Sequence, residues 1–467
     1  MARKQGKDKH RNQIPEFTCI AKEGFGDPLN EIAHSLAWFR DRLYCGVSRL
    51  RVKGRHVRPG VALNETPTSD ERAQIWSYHP GNQKWDQAFV SPLLKPADGV
   101  EAPRDVGYRK MAIFAAKGET EPALYVSTIS PFGGRLLCSK DGKAFAPVRN
   151  TGLQSLNAWS FRVLVPFDGK LYLSPTGKIG KKLIDRNLSE TPVIFESANP
   201  AKAWQPISEP GFTEPSNSSI FALLPLNGHL YAGTTNPDMG FQIWKTPTAA
   251  GQYHWEKILT AGAFRGNSNQ SAVSMCAFGG DLYIGTGIQG PGRDKTYNTG
   301  PAAAELIRIH PDDTWDLIVG EDRRTFDGLK EPLSGLGPGF DNESNSVIWQ
   351  LAVHDGWLYA GTHDWRSFLS FRNSPARGRR PGFFERFSEE NFDEQGGFEL
   401  WRSKTGTDWE PVTRDGFGNP RNYGLRTMVS TPTGLFLGTV TIPPIGAGDW
   451  AGKNDHGKGG CEIWWTK

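Results

Sequence analysis

A short cassette recurs seven times along this 467-residue chain and restricts its possible folds more than any other feature. The most regular copy spans residues 217–258 and contains four segments rich in β-branched and aromatic residues, each bounded by Gly, Pro, Asn or Thr. That pattern is typical of four short antiparallel strands. A lone four-stranded sheet cannot bury both of its faces, so each copy must pack against the others.

One marker gives the copies a common register. It is the turn into the second strand, written L-Y-x-G-T in its fullest form, and it occurs at 41–47, 122–128, 169–175, 228–234, 280–286, 356–362 and 434–440. A third-strand segment such as FQIWKT at 241–246 follows each marker. Seven four-stranded units predict an all-β fold, a seven-bladed β-propeller.

The seventh unit ends near residue 467 without room for a fourth strand. FTCIAKEGFGDPLN at 17–30 aligns without gaps with WEPVTRDGFGNPRN at 409–422. We therefore expect residues 17–21 to form the outer strand of the last blade, paired with 461–466, which closes the ring and leaves no open sheet edge. By the same alignment, Cys19 and Cys461 are expected to be neighbours across this pair.

Composition and charge limit the classes of protein to which the chain could belong. Residues 16–467 are predicted to form one propeller domain, and the basic residues 1–15 a disordered tail with no apolar segment of a secretory signal. A net charge of +4 is too small for a charge-driven nucleic-acid binder, and no apolar run could span a membrane. Five scattered cysteines without metal-ligand spacing favour free thiols in the cytoplasm. Neither a cofactor nor a metal is expected.

The segment Ser139-Lys-Asp141-Gly142-Lys-Ala-Phe145 matches the pattern S-x-D-G-x-x-W, with Phe in place of Trp, and residues 403–409 form a degenerate copy. On these residues the chain resembles the Asp-box (BNR-repeat) propellers. The resemblance implies a propeller scaffold in which the box is a structural turn between the third and fourth strands. The cassette is also similar to the propeller domain of cyanobacterial enzymes that alkylate resorcinols with alkyl halides, a likeness that concerns the scaffold alone.

A second marker precedes each first strand. It is an Asn or Asp six residues before a core apolar position, and it occurs at Asn30, Asp105, Asn157, Asn217, Asn269, Asn345 and Asn422. An Asx turn at the start of each strand is the simplest interpretation.

The fourth residue after each marker predicts a ring at the mouth of the central channel. From blade seven onward the ring reads Arg426, His34, Arg109, Phe161, Phe221, Val273 and Trp349. Three adjacent basic residues facing an apolar wall suit a small ligand with an anionic end, and His34 could transfer a proton near neutral pH. Alternatively, the arginines bond carbonyls of neighbouring blades. Arg162 is one position off this register and is expected to face the other way.

The long insertions, at about 48–72, 287–303, 363–396 and 441–459, fall in loops that share one face, the top face. His363 and Asp364 directly follow a second strand and are expected on its rim. Asp449, Asp455 and His456 are further loop candidates. The basic, aromatic stretch 376–387 suggests a lid or a partner surface, with a solvated loop as the alternative for all of these.

These observations favour a cytoplasmic propeller that binds a small, partly apolar, anionic or phenolic molecule. They lean towards an enzyme of specialised metabolism. The candidate catalytic residues are His34, Arg109, Arg426, His363 and Asp364. The competing hypothesis is a non-catalytic scaffold that binds a protein partner through its long top-face loops, because propellers serve both roles.

Overall fold

The computed structural model describes residues 14–49, 70–95, 101–149, 153–178, 187–248, 252–290, 292–294, 296–367, 396–441 and 459–467. Nearly all of the regular structure in these ranges is β-strand, and 28 strands belong to one connected antiparallel sheet system. The predicted all-β propeller fold is confirmed.

The strands form units of four, here called blades one to seven. Strand β1 (Thr18–Ala21) belongs to the last blade. Blade one contains β2 (Ile32–Phe39), β3 (Arg42–Ser48), β4 (Gln74–His79) and β5 (Lys84–Val90). After the hairpin β6 (Leu93–Leu94) and β7 (Ala102–Pro103), blade two contains β8 (Gly107–Phe114), β9 (Ala123–Ile129), β10 (Leu136–Ser139) and β11 (Ala146–Pro147). Blade three contains β12 (Ser160–Phe167), β13 (Lys170–Thr176), β14 (Phe195–Ser197) and β15 (Gln205–Pro206).

Blade four contains β16 (Ser219–Leu226), β17 (His229–Thr235), β18 (Ile243–Pro247) and β19 (Glu256–Leu259). Blade five contains β20 (Ser271–Phe278), β21 (Asp281–Gly287), β22 (Leu306–Ile309) and β23 (Trp315–Val319), followed by the hairpin β24 (Arg323–Thr325) and β25 (Gly328–Lys330). Blade six contains β26 (Asn345–His354), β27 (Trp357–Asp364), β28 (Leu400–Ser403) and β29 (Trp409–Thr413). Blade seven contains β30 (Asn422–Thr431), β31 (Gly434–Thr441), β32 (Ile463–Thr466) and β1. Short helices lie at Ala261–Phe264 and Pro338–Asp341, with 3-10 turns at Leu153–Ser155, Pro210–Thr213 and Gly266–Asn269.

The first strands of successive blades lie against one another, and β30 of the last blade lies against β2 of the first. The outer strand β1 pairs with β32, with Thr18 opposite Trp465 and Cys19 opposite Trp464. The predicted closure of the ring by an N-terminal strand is confirmed.

The expected pairing of Cys19 with Cys461 is wrong. A register shift after Cys19 and the start of β32 at Ile463 leave Cys461 beyond the paired segment, where its carbonyl accepts the Gly24 N–H. Its buried thiol instead shares a core cluster with Cys45. All five cysteines are free thiols in the structure.

The Asn marker is a buried clasp rather than the expected Asx turn. In blade six the Asn345 amide donates to the Gly339 carbonyl at 2.9 Å, and its oxygen accepts a bond from the Thr362 hydroxyl. Gly339 and Phe340 adopt left-handed backbone angles, which curl the preceding loop back over the Asn side chain. The Phe340 ring then stacks on Trp401 at 4.9 Å. The same contact from Asn to the carbonyl six residues earlier recurs at Asn30, Asn217 and Asn422.

The Gly of the L-Y-x-G-T marker allows neighbouring blades to approach closely. A Cβ on Gly361 would lie 2.4 Å from the Leu425 side chain of the next blade. The segment at Ser139 forms a turn between β10 and β11, where the Gly142 N–H donates to the Ser139 hydroxyl and two further amides donate to Asp141. Both motifs are therefore parts of the scaffold.

Candidate functional site

Each first strand carries a β-bulge at the position that faces the centre of the ring. In blade one, Ala33 lies opposite Val47 and Ser35 opposite Gly46, so His34 is skipped by the strand pairing. Bulges re-aim a side chain out of the ladder and are frequent beside functional sites. The seven skipped residues, here called the bulge ring, are His34, Arg109, Arg162, Phe221, Val273, Trp349 and Arg426.

In blade three the structure differs from the ring of residues that the sequence predicted. The skipped residue there is Arg162 and not Phe161, because the bulge lies between Phe161 and Val163. In the other six blades the bulge residue follows the Asn/Asp marker by four positions, whereas Asn157 precedes Arg162 by five. The residue equivalent to the marker is thus Ala158. Asn157 is exposed and bonds the Glu190 carboxylate at 2.8 Å.

The expectation that Arg162 faces away is therefore wrong. The charges of Arg109 and Arg426 act on Arg162, and its guanidinium carbon lies 3.4 Å from the ring centre of Phe221 in the next blade. Four adjacent blades now contribute a basic residue to the bulge ring. We call Arg426, His34, Arg109 and Arg162 the basic arc, and Phe221, Val273 and Trp349 the apolar arc.

The basic arc is nearly dry, since each of its four side chains is at most 7% exposed. Burial, Arg109 and Arg426 together lower the pKa of Arg162 well below its usual value. Burial also lowers the pKa of Arg426 to about 10, so its guanidinium still carries its charge. Within the described ranges, no ion pair with a carboxylate is found for Arg162 or Arg426.

His34 lies inside this arc and is neutral at ordinary pH. Its Nδ1 is 2.7 Å from the Ser48 hydroxyl. Burial and the charges of Arg426 and Arg109 lower the pKa of His34 well below its usual value. The predicted role of a proton carrier that titrates near neutral pH therefore does not fit this environment, although the neutral imidazole can still donate or accept a hydrogen bond.

His363 joins the site from the apolar side. Its ring packs edge-on against Trp349 at 5.0 Å and Tyr423 at 5.3 Å, and its Nδ1 is 3.1 Å from the Ser346 hydroxyl. Trp349 in turn lies beneath the guanidinium of Arg426, at 5.4 Å from ring centre to Cζ. His363 is 6% exposed and is the penultimate residue of β27, so it lies within the strand and does not follow it as expected.

Asp364 is not brought to the ring centre. It ends β27, is fully buried, and forms an ion pair with Arg366 at 2.6 Å. Asp105, the marker residue of blade two, is likewise paired with Arg104 at 2.7 Å. Two carboxylates that could have neutralised the arc are thus committed to other arginines, and Asp364 has a structural contact instead of the predicted catalytic one.

A chain of neutral amides lies beside the arc at blades three to five. Arg162 donates to the side-chain amide oxygen of Asn187 at 3.1 Å, and the Asn187 amide nitrogen donates to the side-chain oxygen of Gln289 at 3.1 Å. The contact between Arg162 and Asn187 joins two side chains of blade three. It fixes the guanidinium without neutralising it.

The site predicted from the sequence lacks two residues that belong to it, Arg162 and Lys110. A different count finds Arg162: in six blades, all but blade two, the bulge residue stands nine positions before the Leu of the L-Y marker. Lys110 follows the bulge residue Arg109 directly and is half-buried among the cations of the arc. In a regular strand, successive side chains point to opposite faces, so the sequence alone places Lys110 and Arg109 on different faces. The bulge at Arg109 breaks this alternation, and it is visible only in the structure.

Other candidates lie elsewhere. Asp449, Asp455, His456 and the stretch 376–387 fall outside the described residues, as do residues 1–13. The part of the chain that the structure describes holds no group of three His, Cys, Asp or Glu placed to bind a metal ion. In that same part, no helix has the length and apolar character needed to cross a membrane.

No protein-family model and no curated protein matches the sequence. Among solved structures, the chain is similar to a GH74 enzyme from Niastella koreensis (14% identity, 85% of this chain and 46% of that one, TM-score 0.41). An ancestral GH74 enzyme shows 11% identity over 91% of this chain and 61% of that one, with a TM-score of 0.42. A gluconolactonase from Xanthomonas campestris shows 10% identity over 74% and 85%, with a TM-score of 0.39. The chain spans less than two thirds of either GH74 enzyme.

Proposed function

We propose that the bulge ring binds a small, partly apolar organic molecule with an anionic or phenolic oxygen. The observation that carries this proposal is the basic arc, in which four neighbouring blades each contribute a desolvated basic residue at the same bulge position. Like charges in a dry environment disfavour one another, and a bound anion relieves that repulsion. The adjoining apolar arc offers Phe221 and Trp349 as surfaces for the rest of the ligand.

We further propose that the site is that of an enzyme of specialised metabolism. Fixed, desolvated arginines stabilise negative charge that develops on a substrate oxygen, which is the strongest single contribution in many active sites. Arg109, Arg162 and Arg426 would supply this stabilisation. His34 and His363 would contribute hydrogen bonds from the two sides of the arc. We place the protein in the cytoplasm, where its five free thiols stay reduced.

A titration with benzoate, cyclohexanecarboxylate and neutral benzyl alcohol at constant ionic strength tests the anion site. Both carboxylates are expected to raise the melting temperature of the wild-type protein in a saturable way, and benzyl alcohol is not. Arg162→Met should abolish the shift, while the matched control Arg324→Met, an exposed arginine of the β24–β25 hairpin, should retain it. Equal shifts in both variants, or none in the wild type, would reject the proposal.

The alternative function is a non-catalytic scaffold for a protein partner. It depends on the long top-face loops, of which residues 368–395 and 442–458 lie outside the described ranges. The same titration separates the two functions, because a scaffold has no reason to bind benzoate through Arg162. The resemblance to Asp-box propellers is compatible with both.

A further inference from the structure

We infer that Lys110 is the nucleophilic amine of the bulge-ring site and forms an imine with the carbonyl group of an anionic aldehyde or ketone. The inference rests on the proposed function, since it assigns a reactive group and a substrate class to the same site. The basic arc would hold the anionic end of the substrate, and Lys110 would attack its carbonyl carbon.

The position of Lys110 follows from the bulge in β8. Lys110 resumes the strand pairing opposite Ser127 directly after Arg109, and its backbone N–H donates to the Ser127 hydroxyl at 3.1 Å. Its ammonium acts electrostatically on His34 and is acted on by Arg109, Arg162 and Arg426. These groups come from blades one, two, three and seven, so the amine faces the ring centre. The side chain is only half-buried, which leaves it within reach of a small molecule.

The surroundings of Lys110 favour the unprotonated amine. Among the described residues, the charged and titratable groups that act on it are Arg426 on β30, His34 on β2, Arg162 on β12 and Arg109 on its own strand. All are cationic or neutral. Burial and the charges of Arg426, Arg162 and Arg109 lower the pKa of Lys110 to about 7. Lysines that react with carbonyl groups are activated in this way, by desolvation and a neighbouring cation.

The chemistry needs no oxidant or reductant. The lone pair of Nζ forms a C–N bond to the carbonyl carbon while the carbonyl π electrons move to oxygen. A proton passes from nitrogen to that oxygen to give the carbinolamine. Its hydroxyl then takes a second proton from solvent and leaves as water while the nitrogen lone pair forms the C=N bond, which gives the protonated imine. The bound carboxylate or phosphate of the substrate offsets the new positive charge beside Arg109 and Arg162. The imine then withdraws electrons from the adjacent carbon, which prepares it for proton loss or bond cleavage.

Pyridoxal 5′-phosphate is a suitable probe because it combines an aldehyde, an aromatic ring and an anion. The full-length protein is treated with limiting probe, reduced with sodium borohydride and mapped by peptide mass spectrometry. Lys110 should be labelled at least tenfold faster than the exposed Lys84 and Lys143, with a pH midpoint near 7. Benzoate should protect it, and Lys110→Arg should lose that label while melting as the wild type does. Arg162→Met should move the midpoint to higher pH.

Reductive methylation with formaldehyde and cyanoborohydride separates the two proposals, because formaldehyde carries no anion. One outcome is that Lys110 is methylated with a pH midpoint near 7 but pyridoxal phosphate shows no preference for it. That result would support a reactive amine at Lys110 and reject the proposed anion site. If benzoate binds through Arg162 but neither reagent favours Lys110, the anion site stands and the imine inference is overturned. A Lys110 midpoint near 10, as for an ordinary lysine, would also overturn it.

Discussion

The guanidinium carbon of Arg162 lies 3.4 Å above the ring centre of Phe221, its neighbour in the bulge ring. At the opposite end of the basic arc, Arg426 lies 5.4 Å above Trp349. Each end of the arc is thus covered by an aromatic ring of the apolar arc. Such cation–π contacts stabilise a desolvated cation by only about 0.5–2 kcal/mol. They do nothing to reduce the repulsion among the arginines of the arc.

We therefore expect Arg426→Met to raise the free energy of unfolding of the ligand-free protein by about 1 kcal/mol, because a buried charge that faces other cations is replaced by an apolar chain of similar length. Urea unfolding at low ionic strength measures the change. Arg49→Met is the matched control. Arg49 is a buried arginine that pairs with the partly exposed Asp27 at 2.6 Å and donates to the Asn30 side chain at 2.8 Å, and its replacement should cost roughly 1.5–3 kcal/mol. Similar losses in both variants would contradict the assignment of Arg426 to a repulsive cluster.

The clasp in blade six gives a second prediction. Asn345→Ala removes two buried hydrogen bonds, to the Gly339 carbonyl and from the Thr362 hydroxyl, and should cost about 2–3 kcal/mol in urea unfolding. The exposed Asn157 of blade three, which does not occupy the clasp position, should tolerate the same change within about 0.5 kcal/mol. If both substitutions have the same effect, the clasp is not what holds the loop before the first strand.

Ring closure is tested by truncation. Deleting residues 1–25 removes β1, the core contacts of Ile20 and Phe25, and the bond from the Trp85 indole to the Ile20 carbonyl at 2.9 Å. We expect a loss of roughly 3 kcal/mol or more from apolar burial alone, together with aggregation through the exposed edge of β32. Deleting residues 1–12 should leave the melting temperature unchanged. Equal melting of the two truncated proteins would show that β1 does not stabilise the ring.

The histidine of blade five gives a pH-dependent prediction. Partial burial alone would lower the pKa of His310, but its bonds to Asp316 at 2.8 Å and Asp281 at 3.0 Å outweigh burial and raise it. The stabilisation is therefore complete below about pH 6.5, the unfolded value, and is lost as pH rises through the higher folded value. His310→Gln should destabilise the protein at pH 5.5 and have little effect at pH 9.

His354 is the control for that experiment. Burial lowers its pKa, so the folded state binds its proton less readily than the unfolded state does. The wild-type His354 therefore reduces stability as pH falls below about 6.5, and His354→Gln should become relatively stabilising there. The two substitutions should show opposite pH trends in chemical unfolding, and parallel trends would contradict both assignments.

The sequence predicts most of the scaffold because the same contacts are needed in every blade. The L-Y-x-G-T marker requires a Gly where the next blade approaches, and the similarity of residues 17–30 to 409–422 reveals which strand closes the ring. The site is harder to predict, since it depends on single-residue register. In blade three the Asn lies one position earlier than in the other blades, so the prediction chose Phe161 instead of Arg162. No residue type marks the bulge at Arg109, so the sequence did not indicate that Lys110 belongs to the site.

Arg162 and the other residues of the bulge ring also share a property that the scaffold contacts lack. A bulge residue is passed over by the ladder, so its side chain is not required to match a partner across the strand. The seven bulge positions can therefore change identity independently while the blades keep their register. In this chain, the same bulged backbone already carries His, Arg, Phe, Val and Trp side chains at the equivalent position of different blades. Exchanging residues among these positions is thus a route by which evolution or protein engineering could give the same propeller a new chemistry.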